Sequence, residues 1–194
     1  MKTALIILLV VVVVAAAAYF VLRGRSGGGH GLRRRFGPEY DRVVARHDGD
    51  TKAAELELSE RVKRHGSLTR PPLTAGAREQ YTARWTHVQE RFVDSPQEAV
   101  AEADALLTEL SRDRGFPADA RFEERADALS VHHPHHVHGF RRVHAALNGG
   151  GGTEEMRESL VEARGLFDAL LGGDKSAPAT DDQHRHPTKG SVTS

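Results

Sequence analysis

The chain has 194 residues, 39% hydrophobic and 28% charged, and no cysteine, which excludes disulfides, thiolate zinc sites, a lipoprotein anchor and a cysteine nucleophile. Its formal charge of zero hides an asymmetry, because residues 1–35 carry six basic residues and no acid while the remainder holds 21 basic against 27 acidic, a net −6. A main body of that sign argues against nucleic acid as partner, since phosphate contacts need clustered Lys and Arg.

Residues 4–22, ALIILLVVVVVAAAAYFVL, form an uncharged run of 19. As a helix it would span ~28 Å, the thickness of a hydrocarbon core, so 1–23 reads as a single transmembrane helix. Tyr19 falls near the interface end. The alternative is a cleaved signal peptide, with Lys2 as a positive n-region and Ala16 and Ala18 as small residues before the cut. Against it, the apolar run continues through Leu22, past where a cut would fall. Arg23, Arg25, Arg33, Arg34 and Arg35 follow the run, against Lys2 alone before it. The positive-inside rule therefore places the C-terminal domain in the cytoplasm, with the arginines against anionic lipid headgroups.

Residues 24–35 read as a basic, Gly-rich juxtamembrane linker. The sequence GRSGGGHG is no phosphate loop, since no strand precedes it and no Gly-Lys-Ser/Thr follows. From 36 to 173 every periodic segment reads as helix. Pro38 starts the first, with Tyr40, Val43, Val44 and His47 on one face. Asp50 caps a second over 51–65, ended by Gly66, and Pro71-Pro72 mark 67–76 as a loop. A third, over 77–93, aligns Tyr81, Trp85, Val88 and Phe92, the expected centre of the core.

Ser95, Pro96 and Glu98 predict an N-cap, an N1 proline and the return arm of a capping box. That helix directs Val100, Ala103, Leu107 and Leu110 inward and stops at Gly115. Another covers 118–130 with Phe122, Ala126 and Leu129 aligned, Pro134 opens the next up to Asn148, and Thr153 caps the last. The last stripe is Met156, Leu160, Ala163, Phe167 and Leu170. No stretch alternates long enough for a strand. The expectation is an all-α bundle of about six or seven helices, followed by a Ser-, Thr-, Pro- and His-rich disordered tail at 174–194.

One constellation offers chemistry. VHHPHHVHGFRRVH at 131–144 places six imidazoles within 13 residues. His132, His135, His136 and His138 are the candidate metal ligands, for Zn or Ni, and the same cluster could answer to pH. Spacing weakens a metal site: Pro134 interrupts the run and there is no HExxH pattern. His144 shares a stripe with Val137, Phe140 and Leu147 and is expected to pack half-buried. Ser130 lacks a G-x-S-x-G turn, and Glu123, Glu124 and Asp127 read as a solvent-facing helix side. No catalytic residue and no resident cofactor is expected.

Several segments resemble one family: RFGPEYD at 35–41, RWTHVQERFVDSP at 84–96, AVAEAD at 99–104, RGFP at 114–117, FEERA at 122–126 and LSVHHP at 129–134, with Arg141 and His144. Together they are similar to bacterial, mainly actinobacterial, membrane-anchored or secreted helical proteins of unknown function. The resemblance spans about residues 33–170 and implies an anchored helical domain, with no activity attached. The expected function is thus a membrane-tethered, non-enzymatic interaction or scaffold module whose partners are the bilayer and an unidentified protein.

Overall fold

The computed structural model describes residues 29–118, 120–149 and 151–173, and among them every regular element is a helix. Residues 29–36 form α1, followed by α2 (Pro38–Arg46), α3 (Thr51–His65), α4 (Ala75–Arg91) and α5 (Pro96–Asp113). Then come α6 (Phe122–His132), α7 (Val137–Gly149) and α8 (Thr153–Asp168), which runs on through a wider π-type turn at Ala169–Gly173. No described helix is long and apolar enough to cross a membrane. The expected anchor at 1–23 and the expected tail at 174–194 lie outside the described residues.

The helix starts divide by whether a side chain reaches the free amides. Asp50 accepts hydrogen bonds from the amides of Lys52 and Ala53 at 2.9 and 3.1 Å and caps α3. Thr74 accepts from the Ala77 amide and starts α4 two residues earlier than its apolar spacing implied. Ser95 makes no such bond, and Glu98 turns out to Arg91 at 3.1 Å, so the expected capping box does not form. Thr153 is the first residue inside α8, with Gly152 at the cap.

Two further expectations give way to packing. The linker at 24–35 is helical from residue 29, because Leu32 and Phe36, four residues apart, find apolar partners that no composition could announce. Pro134 sits in a turn ahead of α7, not at its first position; the amides of His136 and Val137 both return to the His133 carbonyl. Eight helices result among the described residues, where six or seven were expected.

The core has two parts. The larger is built from α4, α5, α7 and α8 with the inner face of α6. Trp85 stacks on Phe167 at 4.6 Å between ring centroids, and the stripes expected on α5 and α8 are all buried here. The helices α7 and α8 meet at Gly139, where a Cβ would come within 2.4 Å of the Glu162 carbonyl oxygen. Any side chain there would push the two backbones apart. The smaller part joins α1, α2 and α3 to α6 through Phe36, Tyr40, Val43, Ala54, Leu58 and Val131.

Candidate functional site

Beneath the smaller part lies a cluster of charges drawn from four helices. In α3 the buried face is Ala54, Leu58, Arg61 and His65, so a guanidinium occupies a position that helical spacing assigns to the interior. Arg61 is fully buried. Its Nη1 donates to Glu39 Oε1 at 2.9 Å and to Ser130 Oγ at 3.1 Å. Its Nη2 donates to Glu57 Oε1 at 2.5 Å, an i,i+4 pair within α3, and lies 2.9 Å from Asp127 Oδ1 on α6.

Glu39, in the first turn of α2, is only 3% exposed and is gripped from the other side by Arg141 of α7, whose Nη1 donates to Oε2 at 2.8 Å. Ser130 completes the ring by donating to the Asp127 carbonyl at 2.7 Å. One carboxylate thus ties α2 to both α3 and α7, and one guanidinium ties α3 to α2 and α6. Such pairs fix geometry tightly, while the desolvation of the ions offsets much of their attraction.

At the rim, Arg46 and His47 both contact Glu57, His47 through Nε2 at 2.7 Å. Burial pushes the Glu57 carboxyl up, but His47, Arg46 and Arg61 overcome it and bring it down to about 2. Asp127 moves the other way: burial raises it, and Arg61 and Arg141 only partly oppose that. Burial likewise pulls Arg141 below the usual guanidinium value against the attraction of Glu39.

The histidines expected as metal ligands go to separate places. His132, half-buried, places Nε2 2.8 Å from the His65 carbonyl oxygen. His135 is exposed and leans over Gly37, His136 packs beside Gly165, and His138 reaches Glu162 at 3.1 Å. Among the described residues no group of three or more His, Asp or Glu side chains is arranged to hold a metal ion. The reason is local: with α7 starting at Val137, His135 and His136 lie in a turn, and only His138 follows helical spacing.

His144 is half-buried as expected, stacked on Phe122 at 3.7 Å with Nδ1 3.3 Å from Asp104 Oδ1. Phe116 meets the rings of both His132 and the buried His133. Burial lowers the His65 and His132 imidazoles below their ordinary value, helped by Arg64 at the first and by Arg70 and Arg35 at the second. Both are therefore shifted toward the neutral form in the folded chain.

Of the expected membrane-surface arginines, Arg33, Arg34 and Arg35 are exposed on α1, and Arg23 and Arg25 lie outside the described residues. Surface grooves occur elsewhere. One of about 420 Å³ runs between the starts of α5 and α8, past Pro96, Gly152 and Met156. Another of about 420 Å³ lies by Tyr81, whose hydroxyl donates to Asp113 Oδ2 at 2.6 Å.

Sequence reading missed the charge cluster. Spacing places Asp127 on a solvated face and gives Ser130 no role, yet Ser130 is fully buried and Asp127 is ion-paired to Arg61. The available signal was a charge on an apolar stripe, at Arg61 between Leu58 and His65 and at Glu39 beside Tyr40 and Val43. Comparison with known proteins adds nothing to the geometry: no family description, curated protein or solved structure matches the chain.

Proposed function

We propose that this chain is a single-pass, membrane-tethered helical module that works by binding and not by catalysis, with its domain on the cytoplasmic side. One observation carries the reading: the uncharged 19-residue run at 4–22 followed by Arg23, Arg25 and Arg33–Arg35. Membership of the bacterial anchored family that residues 33–170 resemble is part of the proposal. The rigid tie among α2, α3, α6 and α7 through Glu39 and Arg61 suits a body that presents a fixed surface. The module holds no resident metal or cofactor in this reading, and its targets are anionic lipid and a protein partner.

Three measurements test it. The full chain should stay with membranes through alkaline carbonate extraction, and the domain should resist protease in intact cells yet be cut when the bilayer is opened. Release by carbonate would sink the anchor, and digestion in intact cells or spheroplasts would reverse the side. Calorimetry of the full chain in detergent should show no binding of Zn²⁺ or Ni²⁺ tighter than that of a free polyhistidine peptide; tighter binding would overturn the metal-free reading.

A further inference from the structure

Many arginines of the domain are paired with carboxylates. Along the sides of α4, α5, α7 and α8 they sit against carboxylates: Arg84 is 2.8 Å from Glu109, Arg91 3.1 Å from Glu98, Arg142 3.2 Å from Glu158 and Arg164 2.8 Å from Asp168. At one end of the molecule they do not. Among the described residues Arg35, Arg64, Arg70 and Arg78 have no carboxylate partner, and Arg114 spends its Nη1 on the Pro71 carbonyl.

These five residues are neighbours. Arg114 donates to the carbonyl of Pro71, the residue after Arg70, and His132 Nε2 lies 2.8 Å from the carbonyl of His65, the residue after Arg64; Arg35 lies near enough to act on His132, and Arg78 on Arg114. They come from the ends of α1, α3 and α5, the start of α4, and the loop 66–74 between α3 and α4. That loop is held in place. Gly115, at φ +85°, lies so close that a Cβ would meet the Thr69 carbonyl oxygen at 2.3 Å and Pro71 Cδ at 3.1 Å. Glu124 and Asp127 also act on His65, but among the described residues no carboxylate pairs with these arginines; gathering like charges on a fixed frame is unfavourable in the isolated domain, and an anion outside it would relieve that.

Position says which anion. Arg35 lies in the last turn of α1, and only six residues of chain, seven Cα–Cα steps, separate Leu22, the last of the apolar run, from Gly29, where the described chain begins. Fully extended, they reach about 25 Å at most, so the face that α1 carries stays near the bilayer. The rest of the chain beyond residue 35 is net acidic, which disfavours wrapping by a long polyanion.

We infer that the basic end formed by Arg35, Arg64, Arg70, Arg78 and Arg114 is a docking face for anionic lipid headgroups. It rests on the membrane-tethered reading above and extends the juxtamembrane arginines with a second, folded set. Docking of this kind holds the domain in one orientation on the bilayer and leaves the opposite end, with the exposed Val93, turned to a partner.

The absence of native cysteine permits single-site labelling. The full chain would be reconstituted into vesicles of phosphatidylcholine alone, or mixed with phosphatidylglycerol. It would carry a fluorophore at Thr69→Cys in the loop or at Val93→Cys at the far end, with a quencher on the headgroups. On the anionic vesicles the label at 69 should be quenched several-fold more than the label at 93, and high salt should abolish the difference. Arg64→Gln, Arg70→Gln and Arg78→Gln should each weaken docking about five-fold. All three side chains are exposed, so the thermal midpoint should hold and folding should not confound the result.

If the chain fails to float with either vesicle after a carbonate wash, the tethered reading falls. If it floats but the two labels quench alike on anionic vesicles, or quench equally well without phosphatidylglycerol, the docking face is overturned. RNA binding in solution with the same arginine dependence, and no quenching on vesicles, would reassign the face to nucleic acid and also overturn it.

Discussion

The two parts of the core are stabilised by different physics. The larger, on α4, α5, α7 and α8, buries 23 apolar residues including Trp85, Phe140 and Phe167, and its cohesion is area removed from water. The smaller buries six and stands on the Glu39–Arg61–Asp127–Arg141 cluster. Six residues make a thin apolar seam, so the orientation of α2 and α3 depends on ion pairs that either hold together or leave a buried charge exposed to its own desolvation cost. One domain thus contains a half held mainly by apolar area and a half that leans on buried ion pairs.

Truncating each half at its centre breaks the comparison most directly. Phe167→Ala should cost about 3–5 kcal/mol through the cavity left under Trp85. Arg61→Leu should cost a similar ~3–5 kcal/mol, because Glu39 and Asp127 lose Arg61 and keep only the partial compensation of Arg141. Urea unfolding of the full chain in detergent separates the two. The Phe167→Ala loss should be the same at pH 7 and pH 4, and the Arg61→Leu loss should shrink at pH 4 as the stranded Asp127 carboxyl, already raised by burial, takes up a proton. Equal pH behaviour would mean that the cluster is not what positions the smaller half.

Acid sharpens the contrast in the unmodified chain. His65 and His132 are held below the ordinary 6.5, so the unfolded chain binds protons first as pH falls. Stability therefore drops as pH goes below about 6.5, from α3 and α6 inward. Glu57, at about 2, adds stability that is complete above its unfolded value of 4.5 and is lost as pH falls toward 2. The urea midpoint should decline in two stages, and the variant His65→Gln with His132→Gln should remove the upper one alone.

Helix caps give the smallest test. Asp50→Ala should destabilise by about 1 kcal/mol, since it accepts from two amides of α3. Ser95→Ala, at the start of α5, should stay within about 0.5 kcal/mol, because that side chain makes no capping bond. Thermal midpoints suffice for both.

Much of the larger half was legible from residue order. The stripes Tyr81-Trp85-Val88, Val100-Ala103-Leu107-Leu110 and Met156-Leu160-Ala163-Phe167-Leu170 are periodic, and periodicity is local. The spans of α2 and α3 followed from Pro38, Asp50 and Gly66. The site was less legible. Six histidines in thirteen residues looked like one chemical unit, yet each ring answers to a different neighbour: His65 for His132, Glu162 for His138, Asp104 and Phe122 for His144.

Residue order by itself determined that this is an all-α chain behind a 19-residue apolar, arginine-flanked run, because helix periodicity, proline and glycine stops and uninterrupted apolarity act within a few turns. Only the tertiary structure decided that residues 29–36 join the fold, that Arg61 and Glu39 are interior, and that Arg114 meets the loop carrying Arg70. Those outcomes are set by pairs of residues 22 to 102 positions apart, such as Glu39 with Arg61 and Arg141. Contacts at such separations form only when helices pack, and a charge's partner is chosen by that packing, not by its place in the chain.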